Sequence, residues 1–248
     1  MSSPIDILAF SPHPDDAEVG CGGSLILAAD KGLRVAIADI SAGEMSSRGA
    51  LEQRRREKEK AAELLGLCMR PSVGLPDGNI GTDPAHRLPL IQLIRELKPR
   101  LVLAPYGPDR HPDHTAAHKL VQEACFFAGV RQFGSGQPHR PERIYFYMIH
   151  HPIPPSGVVD ISAVWDRKLA AINAYQSQFQ FDGSGVKTAI SRPDFLRSLE
   201  ARAVWFGAMI GVAYGEALYL PGPIPLRELP GLSSASPAPG ELPPYSMY

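Results

Sequence analysis

Short apolar runs alternate along the chain with longer stretches in which apolar residues return every three or four positions. Residues 5–10 (IDILAF) read as a first strand, followed by a glycine-rich turn and a helix over roughly 23–31. Residues 34–41 (RVAIADIS) form a second strand. A charged helix over 50–65 stops at Gly66, a residue suited to a left-handed C-terminal cap. A third strand is expected at 71–75. The next helix, 84–97, ends before Pro99, which disfavours helical backbone at the residue before it. Residues 101–106 (LVLAPY) make the fourth strand, a helix runs from after Asp113 to about 128, and 144–149 make the fifth. A further strand at 158–161 and helices near 163–175 and 193–210 complete the pattern.

Strand–helix alternation at this spacing predicts an α/β fold: a Rossmann-like three-layer sandwich with a mostly parallel sheet, order 3-2-1-4-5. The first strands are unbroken apolar runs, as expected where helices cover both faces. In that order the switch point lies between strands one and four, and ligands bind beyond the carboxyl ends there. One domain is expected over 1–220. Residues 221–248 are a tail, because 8 of the 25 prolines fall in it and proline cannot sustain a helix or an interior strand.

Composition narrows the function classes. The 25 Lys and Arg against 26 Asp and Glu argue against a groove that neutralises nucleic-acid phosphates. Three scattered cysteines, Cys21, Cys68 and Cys125, make neither a disulfide framework nor a four-thiolate metal site. No apolar run approaches the ~18 residues of a membrane span. The N-terminus lacks the basic stretch of a signal peptide, so a cytoplasmic protein is expected.

Two segments carry chemistry. Ser11-Pro12-His13-Pro14-Asp15-Asp16-Ala17-Glu18 follows strand one, and Asp109-Arg110-His111-Pro112-Asp113-His114 follows strand four. The strand order makes these loops neighbours across the crevice. Two imidazoles and a carboxylate suit a metal hydrolase with a position open for water. A metal lowers that water's pKa, and a second carboxylate takes its proton. On this reading His13, Asp16 and His114 bind the metal and Asp15 is the general base. His111 protonates the leaving group or stabilises the oxyanion. Asp113 caps the helix and orients an imidazole. Zinc and iron(II) both accept such a set, and the facial triad of iron oxygenases shares it, though usually on a β-rich scaffold. His118, four residues after His114, lies too deep along the helix to join. His86, His139, His150 and His151 show no partner. Gly20-Cys21-Gly22-Gly23 is a poor dinucleotide fingerprint, because His-Pro-Asp-Asp stands where its first glycine belongs.

At these residues the chain resembles the PIG-L/LmbE family of metal-dependent N-deacetylases, whose motifs are A-H-P-D-D-E and H-x-D-H. The glutamate is displaced here to Glu18. Residues 43–49 (GEMSSRG), 175–179 (YQSQF) and 212–216 (VAYGE) are similar to the branch acting in bacillithiol biosynthesis. The resemblance implies zinc on His13, Asp16 and His114, Asp15 as base and His111 at the oxyanion. It implies N-acetylglucosaminyl-malate as a small anionic substrate, with another N-acetylglucosaminide such as the inositol conjugate, or a thiol-conjugate amide, as the alternative of related branches, and a homo-oligomer such as a hexamer. Arg48, Arg54 and Arg110 are the arginines near the predicted crevice that would then meet the malate carboxylates, since guanidinium pairs bidentately with carboxylate. Ser46 belongs to the substrate loop, and Tyr175 would close over the substrate.

Overall fold

The computed structural model describes residues 4–181, 183 and 186–222. The strands among them are β1 (Ile7–Ser11), β2 (Val35–Ser41), β3 (Ser72–Leu75), β4 (Leu101–Pro105), β5 (Arg143–Tyr147), β6 (Gly157–Asp160) and β7 (Gly215–Tyr219). They form one sheet in the order β3-β2-β1-β4-β5-β7-β6. The first five strands pair in parallel in the expected order. β7 enters antiparallel between β5 and β6. The helices are α1 (Asp16–Asp30), α2 (Leu51–Leu65), α3 (Pro84–Leu97), α4 (Pro112–Ala128), α5 (Trp165–Asn173), α6 (Gln176–Phe179) and α7 (Pro193–Ile210).

The period-2 alternation of side chains divides the core between the two faces of the sheet. Leu8 and Phe10 pack with Leu90, Ile91 and Ile94 of α3 and with Leu120, Val121 and Ala124 of α4. Ala9, Val35 and Ile37 face the other way, onto Leu25 and Ile26 of α1, Leu65 of α2 and Ala171 of α5. β2 is buried along its whole length, which accounts for its mostly apolar sequence, and its buried Asp39 is paired with Arg70. Gly66 ends α2 at φ 72°, as its place after the charged helix predicts.

Two boundaries differ from expectation in ways that shape the site. α1 begins at Asp16, within the first motif, and not at residue 23. α4 begins at Pro112, because proline's fixed φ and missing donor suit the first helical position. Its N-cap is therefore His111, whose Nδ1 accepts from the Asp113 backbone N–H at 3.2 Å. Asp113 lies inside the first turn and is not the cap. The proline-rich tail lies beyond Gly222, outside the described residues. No helix among the described residues is long and apolar enough to cross a membrane.

Candidate metal centre and active site

The loop leaving β1 turns sharply enough to present three consecutive functional groups. Ser11 Oγ donates to the His13 carbonyl at 2.6 Å and accepts from the Ala17 N–H at 3.1 Å. The His13 N–H donates to Asp16 Oδ2 at 3.0 Å. Between them Asp15 takes φ 114°, a left-handed backbone that L side chains rarely adopt. Strain of this kind persists only where the surroundings over-determine it, which is common at functional sites.

Asp16 Oδ2 stands 3.1 Å from His13 Nδ1 and 3.2 Å from His114 Nε2. Ligand atoms ~2.0–2.1 Å from one metal in tetrahedral geometry lie ~3.3 Å apart, which both of these separations match. Among the described residues, the groups whose ligand atoms all lie within 4.8 Å of one another are His13–His111–His114, Asp109–His114–His150 and His13–Asp77–Asp113. The far nitrogens of both rings meet carboxylates. His13 Nε2 is 3.0 Å from Asp77 Oδ1 and 3.3 Å from Asp113 Oδ2, and His114 Nδ1 is 3.1 Å from Asp109 Oδ1. A carboxylate behind each imidazole is the usual support of a metal-binding histidine. The carboxylates are themselves held. Asp113 accepts from the N–H groups of Gly78 and Ile80, and Asp109 from those of His111, His150 and His151. His111 also brings a nitrogen within 4.8 Å of ligand atoms of His13 and His114. Its Nδ1 is engaged at the helix cap, so the neutral ring carries its proton on Nε2.

The electrostatics follow from this crowding. Burial acts against charge on both His13 and His114, but the surrounding carboxylates outweigh it. Asp113, Asp16 and Asp77 hold His13 up to about 12, and Asp16 and Asp109 hold His114 up to about 9. Asp16 is held well below the usual carboxylate range despite its burial, chiefly by His114. Asp15 moves the other way, up to about 8, through burial and then the charge of Asp16. Arg54, whose Nη2 is 3.8 Å from Asp15 Oδ2, offsets part of that rise. Adjacent carboxylates are thus driven apart, one ionised between two imidazoles and one with a pKa near neutrality. Burial lowers His111, with the charges of His13 and His114 adding to it, so its ring stays neutral.

These groups line a cavity of about 480 Å³ at the carboxyl ends of the central strands. His13, Asp15, Asp16, His111 and His114 reach it together, as do Ser46, Arg54 and Arg110. Arg54 is 4% exposed. Its Nη1 donates to the Gly43 carbonyl at 2.6 Å and its Nη2 to the Pro14 carbonyl at 3.1 Å. Its guanidinium therefore fastens the Asp15 loop. The Ser46 hydroxyl donates to Gln178 Oε1 at 3.0 Å, joining the 43–49 loop to α6 along one wall. Arg110 Nη2 is 3.4 Å from His150 Nε2.

Tyr175 does not face the cavity. It is 0% exposed and packs with Val19, Ala61 and Phe179. Its hydroxyl donates to Glu18 Oε1 at 2.8 Å. The displaced glutamate of the first motif is the cause, since Glu18 points into the core towards Tyr175 and Arg70. His150 had no apparent partner in the sequence, yet it lines the cavity and stacks on His114, ring centroids 5.3 Å apart. Asp77 and Gln178 are also in the lining. His150 and Asp77 stand just past the ends of β5 and β3, where the strand order already placed the crevice. His118 is turned to the Pro105 carbonyl at 3.0 Å and stays apart from the metal donors.

The chain is similar to several known proteins. The family model of PIG-L, GlcNAc-PI de-N-acetylase, matches residues 8–125. The crystal structure of the conserved protein TT1542 from Thermus thermophilus superposes with a TM-score of 0.82 at 41% identity, covering 91% of this chain and 98% of that one. A diacetylchitobiose deacetylase of Thermococcus kodakarensis is 32% identical over 87% of this chain and 83% of its own length. A 4-oxalmesaconate hydratase of Pseudomonas putida is 27% identical over 69% and 73%. With both motifs in place around one donor set and this extent of likeness, the chain belongs to the PIG-L deacetylase family.

Proposed function

We propose that the chain is a metal-dependent N-deacetylase that hydrolyses the acetamido group of an N-acetylglucosaminide. The observation that carries this reading is one carboxylate, Asp16, set between two imidazoles, with a second, Asp15, beside it at a pKa of about 8. His13, Asp16 and His114 would hold a divalent cation. Two nitrogens and one oxygen suit zinc, with iron(II) as the alternative. When bound, the cation supplies a water of lowered pKa and stabilises negative charge on the amide oxygen.

The chain's own residues do the rest. Asp15 takes a proton from water as the water oxygen bonds to the carbonyl carbon. His111, neutral and protonated on Nε2, donates a hydrogen bond to the developing oxyanion. The C–N bond then breaks, and Asp15 returns the proton to the departing amine. The products are acetate and a free glucosamine amine. Arg54 keeps the Asp15 loop in place and limits the rise of its pKa. The three free cysteines suit a reducing cytoplasm.

The aglycone follows from which cations remain available. The malate conjugate expected from the sequence needs arginines for two carboxylates. Of the two arginines lining the cavity, Arg54 is buried on backbone carbonyls, and Arg110 alone stands clear of such contacts at the rim. A neutral N-acetylglucosaminide such as N,N'-diacetylchitobiose therefore stands ahead of N-acetylglucosaminyl-malate. Assaying amine release from both is expected to give the higher kcat/KM on the neutral substrate; a preference for the malate conjugate would reverse this assignment. A hydratase reading, favoured by the Pseudomonas relative, predicts no amine release from either.

A further inference from the structure

The helix that carries Asp16 is two pieces. Cys21, at φ −140° and ψ 16°, leaves helical backbone, so a short turn at 16–20 precedes the main segment at 22–30. Such a break strands carbonyls of the first piece and amides of the second. Here charged side chains from three other elements take them. Glu216 of β7 accepts from the N–H groups of Gly23 and Ser24 at 2.7 Å each, and from Ser24 Oγ at 2.6 Å. On the other side the Val19 carbonyl accepts from Lys168 Nζ of α5 at 3.1 Å and from Arg202 Nη2 of α7 at 2.8 Å. Lys168 also pairs with Glu216. Anion at a helix start and cations at a helix end match the backbone dipole on both sides of the break.

Arg202 reaches further. Its Nη1 donates at 2.6 Å to the Ile149 carbonyl, next to His150. One guanidinium thus joins Val19, three residues past Asp16, to the strand end whose His150 and His151 amides hold Asp109 behind His114. Lys168 and Glu216 are each 3% exposed, and none of the three side chains lines the site's cavity. The arrangement also explains the glycine run in the first motif's helix. A Cβ at Gly20 would stand 2.1 Å from Tyr147 Cδ2, and one at Gly23 would stand 2.8 Å from Ile161 Cγ2 and 3.0 Å from Glu216 Oε1.

We infer that Arg202, braced by the Lys168–Glu216 pair, is a positioning residue that holds the Asp15–Asp16 turn and the His150 strand end in one register, and so sets the Asp16-to-His114 spacing. This rests on the metal-dependent reading of the site. Satisfying the stranded backbone groups stabilises the break in its own right, so zinc affinity and kcat, and not Tm, separate positioning from stabilisation.

The test compares the metal-bound parent enzyme with Arg202→Met, which keeps the apolar stem, and Arg202→Lys, which keeps the charge but serves one carbonyl. Zinc affinity is read by chelator competition, alongside kcat, KM and Tm. Arg202→Met, one layer further out than the carboxylates behind the imidazoles, is expected to weaken zinc by up to about 10-fold, the low end of the range for lost outer partners of metal ligands, and to lower kcat more than it raises KM. Arg202→Lys is expected to fall between. The charge-neutral pair Lys168→Met/Glu216→Gln is expected to weaken zinc as well, and keeps the test open where Arg202→Met does not fold. Parent-level zinc affinity and kcat in any folded variant, whatever its Tm, would overturn the inference. Zinc affinity needs no substrate, so failure of the deacetylase reading would show separately, as parent protein that binds zinc and releases no acetate.

Discussion

Asp15→Asn is expected to keep the parent's metal content and to lose about 10²–10⁴-fold in kcat, the usual contribution of a positioned general base. The side chain is nearly isosteric, and the three metal donors are on other residues. What disappears is a carboxylate in the cavity whose pKa is driven towards neutrality, up to about 8, by burial and the neighbouring Asp16 charge. The same shift gives a stability signature. An unfolded Asp titrates near ~3.9, so between there and about 8 the folded, chelator-treated parent holds a proton that the unfolded chain has released. Asp15's contribution to stability is full below the lower pH and is lost as pH rises through the upper one. Asp15→Asn, which cannot ionise, should therefore raise Tm relative to the parent at pH 8, with the gap closing towards pH 4. Near-parent turnover would remove Asp15 from the role of base, and a Tm gap independent of pH would remove the electrostatic account of its environment.

His114→Ala is expected to release the metal and with it all turnover. The ring is 2% exposed and sits between Asp16 and Asp109, so its removal leaves both carboxylates without the imidazole that joins them. Loss of one ligand in three should exceed the 10–100-fold loss expected for Asp109→Asn, which removes only the carboxylate behind the ring. Elemental analysis of the purified proteins orders the three. Metal content in His114→Ala equal to the parent's would exclude it from the ligand set and favour His111 or His150, the imidazoles grouped with it.

β1, β2, β4 and β5 were legible because each is a mostly apolar run, while β3, Ser72–Leu75, is a short and half-exposed strand marked only weakly by its sequence. β7 was not legible. Its sequence, Gly215–Tyr219, contains a glutamate and directly follows the long helix α7, and its pairing with β5 and β6 depends on residues far along the chain. The start of α1 was hidden for a different reason: Asp15's left-handed backbone and the break at Cys21 make the motif read as loop. At the site, His13, Asp15, Asp16, His111 and His114 were found because strand order alone brings two local motifs together. Asp77 and His150 carry no local motif, and only their positions around the crevice mark them; Gln178 lies in the YQSQF segment, but nothing in that segment tells it from its neighbours as a wall residue. Tyr175 was misplaced because its hydroxyl answers to Glu18, a contact between residues 157 positions apart that no local pattern shows.

The central claim is that the chain uses water to cut an acetamide with a metal held by His13, Asp16 and His114. Its most direct test is hydrolysis of N,N'-diacetylchitobiose in ¹⁸O-labelled water by zinc-loaded protein and by chelator-treated protein. The account predicts acetate carrying one labelled oxygen, released in equal amount with free amine, and only from the metal-loaded protein. Unlabelled acetate, metal-independent release, or no release from any N-acetylglucosaminide by a metal-loaded, folded protein would contradict it.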